Sequence, residues 1–217
     1  PKEWAEDAGR REEAGVPAAV AFATKLDLAR RMVERAVDAG VPARWVTGDA
    51  VYGSAYTFRA ALERRELGYV LGVRTDQAVC MEWRQVRAKA LLAEVPAGGW
   101  RRLSCGAGAK GPRLYDWAVL PTNCPDPRPA EVAHFLCGGP PRTPLAELVR
   151  VAGTRWAIEE GFELAKGECG LDEYEVRSWV GWHRHVTLSL WALAVVAVIR
   201  ARAVPSRREK GATGWSG

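Results

Sequence analysis

The sequence predicts an α/β domain interrupted by a β-rich segment, and three patterns in its 217 residues carry that expectation. Residues 25 to 74 alternate between helical and strand-like runs. Residues 76 to 140 are rich in glycine and proline, with short β-prone runs between them, and after Pro144 the spacing becomes helical again. Helix and strand in alternation imply a parallel sheet with helices packed on it. Hydrophobic residues make up 48% of the chain, which excludes global disorder.

The elements follow in order. The opening to Pro17 is charged and irregular, with Trp4 as its one large apolar anchor. Thr24 is placed to cap a helix, with Asp27 three residues on. Leu28, Met32, Ala36 and Val37 then recur at helical spacing until Gly40, so a helix is predicted over residues 25–39. A short β-prone run, Arg44 to Thr47, ends at Gly48-Asp49. A polar residue at the C-terminal end of a buried strand is where α/β folds place ligands. A second helix is expected from Gly53-Ser54 to Leu67, with Phe58 and Leu62 on one face, and a strand from Tyr69 to Arg74.

The middle is expected to be β-rich, with strands at Trp100 to Ser104, Leu114 to Leu120 and Ala133 to Leu136. Gly106-x-Gly108-x-x-Gly111 spells a dinucleotide fingerprint, but Pro112 and a strand-like run follow it where a phosphate-binding helix would start, which excludes that reading. Beyond Pro144 a short helix is expected over Leu145 to Arg150, then a longer one capped by Thr154 and running to about Lys166. Leu171 to Trp179 reads as a connector, Trp182 to Arg202 as a long apolar helix, and Pro205 to Gly217 as a disordered basic tail. The resulting division is 1–75 for the first part of the core, 76–143 for the β-rich segment, 144–203 for the C-terminal helices and 204–217 for the tail.

Composition narrows the function. The net charge of +5 and pI near 9.1 favour an acidic partner. Cys80, Cys105, Cys124, Cys137 and Cys169 are odd in number and contain no C-x-x-C, so free thiols in a reducing cytoplasm are expected rather than a disulfide framework. His134 and Cys137 lack a second pair at zinc-like spacing. The N-terminus is charged and has no apolar stretch of signal-peptide type. The uncharged run Val186 to Ile199 would span about 21 Å as a helix against a hydrocarbon thickness of about 30 Å. It therefore reads as a buried core helix rather than a membrane span. Because the first residue is Pro1 and not methionine, a piece of a longer chain is expected.

Two clusters could carry chemistry together. One is Gly48-Asp49-Ala50-Val51-Tyr52-Gly53; the other is Arg155-x3-Glu159-x6-Lys166 within a helical pattern. At about 100° per residue, Arg155, Glu159 and Lys166 fall in one sector of a helix. A carboxylate between two cations suits a divalent metal beside a polyanionic backbone, which points to phosphoryl transfer on nucleic acid with Asp49 and Glu159 as metal ligands. Attack on a phosphodiester needs oxygen ligands that leave metal positions open for substrate. Each residue also has a plainer role: Asp49 as a turn or helix cap, and Glu159 as the partner of Arg155 in a surface ion pair. Glu160 points about 100° away from the Arg155 and Lys166 sector. Ile158, Phe162 and Trp156 flank that polar stripe, which places it at the rim of a buried surface. Arg101, Arg102, Arg142 and Arg150 offer further contacts to DNA or, more simply, a solvated charged surface. Trp83, Trp100 and Trp117 offer base stacking or, more simply, packing in a small β layer. His183 and His185 offer an acid–base pair or, more simply, neutral residues at a helix start, with Arg184 as a phosphate contact.

The strings Trp45 to Gly53, Arg155 to Phe162 and Gly170 to Trp179 resemble bacterial insertion-sequence transposases of the DDE class. Within that class the chain is similar to the branch with a Y-x2-R-x3-E-x6-K signature, over a stretch from Trp4 to Arg202. Arg155, Glu159 and Lys166 match its last three letters, while Ala152 stands at the tyrosine position. The resemblance implies an RNase H-like domain, with a β-rich insertion filling the gap of about 110 residues between the second and third acidic residues. It implies an acidic triad that binds Mg²⁺ or Mn²⁺, strand nicking by water and strand joining by a DNA 3′-hydroxyl. Transposon-end and target DNA would be the partners, Arg155 and Lys166 would contact phosphates, and the parent enzyme would be a homo-oligomer at the nucleoid, away from any membrane. The family's first catalytic Asp lies upstream of the segment that Pro1 to Trp4 resembles. The expectation is therefore a partial RNase H-like domain, inactive alone, that needs the absent N-terminal part or an intact transposase. The alternatives are a non-catalytic DNA-binding or oligomerising remnant, and a nuclease of the same fold.

Overall fold

The computed structural model describes residues 2–81, 84–96, 98–108, 111–118, 133–175 and 177–203. Trp83, Cys124, the last two residues of the strand expected over Leu114 to Leu120, and the tail from residue 204 lie outside them, as do the side chains of Trp4 and Cys80. In chain order the first elements are α1 (Lys2–Glu6), α2 (Ala8–Glu13), α3 (Lys25–Asp38), β1 (Trp45–Gly48), α4 (Ala50–Gly53), α5 (Tyr56–Arg64) and β2 (Gly68–Val73). There follow β3 (Ala78–Met81), β4 (Arg84–Arg87), a 3-10 turn over Ala88–Ala93, β5 (Arg101–Gly108), β6 (Gly111–Trp117) and β7 (His134–Gly138). The chain closes with α6 (Leu145–Thr154), α7 (Trp156–Cys169) and α8 (Trp179–Ala203). It divides into two compact units, Ala23–Ala157 on the one hand and Pro1–Phe22 with Ile158–Gly217 on the other.

Unit Ala23–Ala157 is built on a three-stranded sheet in the order β1-β2-β7. β1 and β2 run parallel, with Trp45 opposite Gly68, as helix–strand alternation requires. β7 joins antiparallel, with Tyr69 opposite Gly138. It therefore belongs to the main sheet, although it falls inside the segment expected over 76–143. Alternation along β2 serves two cores. Tyr69 and Leu71 pack with Phe58, Leu62 and Leu67, under Leu26, Val33 and Val37 of α3. Val70 faces the other way, towards Val151 and Ala152 of α6, with Trp117 and Phe135 at the margin.

α3 starts where its cap dictates: the Thr24 hydroxyl accepts from the Asp27 amide at 3.1 Å, and the Asp27 carboxylate accepts from the Thr24 amide at 3.2 Å. The helix expected from Gly53-Ser54 to Leu67 is found as α5, over Tyr56–Arg64, and a separate short helix, α4, precedes it and ends at Gly53. Gly53 explains the break, since a Cβ there would come within 1.9 Å of the Gly72 carbonyl oxygen. The turn thus lies directly on β2, and the Arg59 guanidinium donates to the Gly53 carbonyl.

β3 pairs with β4, and β5 with β6, as two separate antiparallel hairpins. Gly108 and Gly111 face each other across the second hairpin, so the glycine fingerprint spans two strands and opens no helix. Leu145 starts a helix as expected, but α6 continues to Thr154, whose hydroxyl donates to the Val151 carbonyl at 2.6 Å instead of capping the next helix.

In the other unit the opening residues are helical, not irregular. Asp7 caps α2 by accepting from the Arg10 amide at 3.1 Å, and the Arg11 guanidinium donates to the carbonyls of Ala5, Pro17 and Val20. The Trp179 amide donates to the Ala14 carbonyl at 2.8 Å, so α8 begins one turn before its expected start.

α8 also corrects the expectation of a buried core helix. Ser189 is its one buried residue among those described, whereas Trp182, Leu188, Trp191, Val195, Val198 and Ile199 are exposed. By length and composition α8 is the one described helix apolar enough to cross a membrane.

Candidate metal and nucleic-acid site

Asp49 stands at the C-terminal end of β1, as the N-cap of α4, and is exposed. Its Oδ1 accepts from the Val51 amide at 2.9 Å. A carboxylate offers about four acceptor positions, so capping leaves capacity for a cation. The backbone beneath it is fixed by the Gly53 and Gly72 contact and by buried Leu71 and Val70. Thr47, two residues before Asp49, buries a hydroxyl oxygen without a hydrogen-bond partner.

Glu159 lies in the first turn of α7 and Lys166 in its last turn, and both are exposed. Seven residues apart, they share a face over about two turns. Arg155 is not inside that helix. It occupies the turn between α6 and α7, with a helical backbone at φ −59 and ψ −35. Ile158 and Phe162 are 62% and 50% exposed, so the surface beside the stripe is not buried in this chain; the buried residue of α7 is Ala165. Glu160 is exposed as well.

Asp49 belongs to unit Ala23–Ala157 and Glu159 to the unit containing Ile158–Gly217. A carboxylate oxygen is a donor that suits a hard divalent cation, which is commonly held by one or two carboxylates together with substrate phosphates. Among the described residues, no group of three or more His, Cys, Asp and Glu could hold a metal ion.

Several secondary candidates have other partners. Arg150 forms two bonds to Glu147, at 2.7 and 2.8 Å, which hold the Glu147 carboxyl below its usual range and raise the guanidinium. Arg102 pairs with Asp116 at 3.1 Å. Trp117 packs on Phe135 with ring centroids 5.9 Å apart, a core contact and not a platform for bases. His183 Nδ1 lies 2.9 Å from the Trp179 carbonyl and its ring 4.1 Å from the Trp179 ring, while His185 faces Tyr174 at 5.2 Å. Both histidines therefore make local packing contacts. Cys105, Cys137 and Cys169 are free thiols.

One cluster escaped the sequence analysis. The Tyr115 ring of β6 lies parallel to the Trp156 indole, at 5° and 6.3 Å between centroids. Two guanidinium groups approach the same indole, Arg113 at 5.4 Å and Arg155 at 5.5 Å. No periodicity could reveal this, because the partners come from a hairpin and a helix junction distant in the chain.

No curated protein sequence matches this chain. Residues 1–97, which carry Asp49 but not Glu159, match the family model described as DDE superfamily endonuclease. That match covers less than half of the 217 residues and supports a DDE-type transposase or nuclease relationship, with DNA as the substrate and divalent-metal chemistry as the general class.

Proposed function

We propose that this chain carries part of the catalytic domain of an insertion-sequence DDE transposase of the Y-R-E-K branch, RNase H-like, with the β3 to β6 hairpins as its insertion. In this reading Asp49 and Glu159 are two ligands of a Mg²⁺ or Mn²⁺ site, and Arg155 and Lys166 contact DNA phosphates. The observation that carries it is Asp49: an exposed carboxylate at the C-terminal end of a parallel strand, on a turn seated against the buried centre of a sheet. Open α/β sheets bind ligands at that place. The family match over residues 1–97 includes this strand and turn.

The described residues form no metal site of three ligands by themselves. Cleavage and strand transfer would then depend on a further carboxylate, supplied by the N-terminal part of a transposase or by an intact copy. The exposed apolar surface of α8 fits a chain that completes its packing in a larger assembly. A nucleoid-associated, cytoplasmic protein follows from DNA as the partner.

The test uses Mn²⁺ binding to the chain–DNA complex, followed by electron paramagnetic resonance. Asp49→Asn and Glu159→Gln should each weaken Mn²⁺ binding while leaving DNA binding intact. If both variants hold Mn²⁺ as the unaltered chain does, the alternative applies: a non-catalytic DNA-binding or oligomerising remnant.

A further inference from the structure

The β5–β6 hairpin is mounted on the α6–α7 junction with little freedom. A Cβ on Gly153 would come within 1.5 Å of the Cys105 carbonyl oxygen, so α6 and β5 approach as closely as bare backbone permits. Cys105 is buried beneath this contact, and its thiol lies 3.4 Å from the Arg113 carbonyl on the facing strand. On β6, Arg113, Tyr115 and Trp117 alternate onto one face. Trp117 joins the core with Val151 and Ala152, which directs the same face of the hairpin towards α6 and the residues just after it. Tyr115 and Arg113 reach Trp156 there, and Arg155 lies against the same indole.

We propose that the hairpin positions the Arg155 guanidinium for a DNA phosphate by acting through Trp156, with Tyr115 as the principal positioning residue. The proposal rests on the reading of Arg155 as a phosphate contact. A guanidinium has a flat face and a fork of N–H donors along its edge, and only the edge bonds a phosphate. Contact with the indole through the guanidinium carbon, 5.5 Å from the ring centroid, uses the part that phosphate does not need. Arg155 sits in the turn between α6 and α7. The indole beside it is itself held by Tyr115 on the neighbouring hairpin. Preorganisation of this kind strengthens binding by reducing the freedom lost on contact. The hairpin would thus help bind DNA through a residue it does not itself contain.

The experiment measures affinity of the full chain for duplex DNA as a function of salt, because each phosphate contact contributes about 0.9 to the slope of log K against log salt. Arg155→Ala should lower that slope by about this amount and weaken binding several-fold. Tyr115→Ala removes no charge, yet it should produce a loss of the same kind. Tyr115→Phe, which keeps the ring, should bind as the unaltered chain does. The double variant Tyr115→Ala/Arg155→Ala should bind no more weakly than Arg155→Ala alone, since both changes remove one contact. If Tyr115→Ala loses its cooperative melting transition, Tyr115→Leu replaces it, retaining apolar bulk without a planar ring. Unchanged slope and affinity in the Tyr115 variant, or losses that add in the double variant, overturn the positioning role while leaving Arg155 as a contact. Unchanged binding in Arg155→Ala overturns the phosphate contact itself, and the positioning role with it.

Discussion

β2 and α8 are both strongly apolar, and they meet opposite conditions. β2 is covered on both faces by its own unit, by α3 and α5 on one side and α6 on the other, so that Leu71 is 0% exposed. α8 is longer and carries more apolar surface, yet Trp191 is 68% exposed and Leu188 54%. Both segments obey the same hydrophobic driving force, so the difference lies in what is available to cover them. A helix apolar on all sides is normally enclosed by protein or lipid. Covering β2 requires only sequence-local helices, whereas covering α8 requires more than the described residues supply.

The largest expected effect tests this contrast directly. Leu71→Ala leaves a cavity between two packed layers and should cost about 3 to 4 kcal/mol of unfolding free energy in urea. Leu188→Ala should stay within about 0.5 kcal/mol, as exposed substitutions generally do. Comparable losses in the two variants would mean that α8 is covered in solution.

A pair of glycines sharpens the same comparison at smaller scale. Gly53→Ala forces a methyl group into the Gly72 carbonyl and should destabilise the chain by about 1 to 3 kcal/mol, as overpacking does. Gly161 on α7 has nothing within 4 Å of its Cβ position. Gly161→Ala should stabilise α7 by up to about 1 kcal/mol through helix propensity. Thermal or urea unfolding of both variants checks the opposite signs. Because Gly53 also seats the turn bearing Asp49, its variant should weaken Mn²⁺ binding in the chain–DNA complex, and Gly161→Ala should not.

What could be read from sequence was what neighbouring residues decide. The Thr24–Asp27 capping box, the parallel pair flanking α5 and the position of Asp49 after β1 all depend on spacings of a few residues, and the structure has each of them. The opening helices could not be read in the same way. α1 and α2 have five and six residues, too short for apolar periodicity, and Arg11 organises that region through carbonyls up to nine positions away. Arg155 misled for a related reason. Its letters continue a helical pattern, but the break at Arg155 accompanies a tertiary contact, with Gly153 pressed against Cys105. The apolar run of α8 signalled a helix correctly and could not signal burial, which depends on a partner surface.

The smallest effect concerns pH and again belongs to the covered face of β2. Tyr69 is buried there and donates its hydroxyl to Glu63 Oε1 at 2.8 Å. Burial first, and the Glu63 carboxylate second, push its pKa up to about 12 from an ordinary value near 10. The unfolded chain therefore releases this proton at lower pH than the folded chain. Stability from this group is complete below pH 10 and declines as pH rises from about 10 to about 12, since the unfolded state then binds fewer protons. Up to pH 10.5 the decline should remain under about 1 kcal/mol. Tyr69→Phe removes the ionisable group along with one hydrogen bond, so its stability should be lower at pH 8 by about 1 kcal/mol and should approach that of the unaltered chain as the pH is raised. Urea titrations of both proteins at pH 8, 9, 10 and 10.5 measure this narrowing. A constant difference across the series would show that the Tyr69 hydroxyl meets water, and that the cover over β2 is looser than its packing indicates.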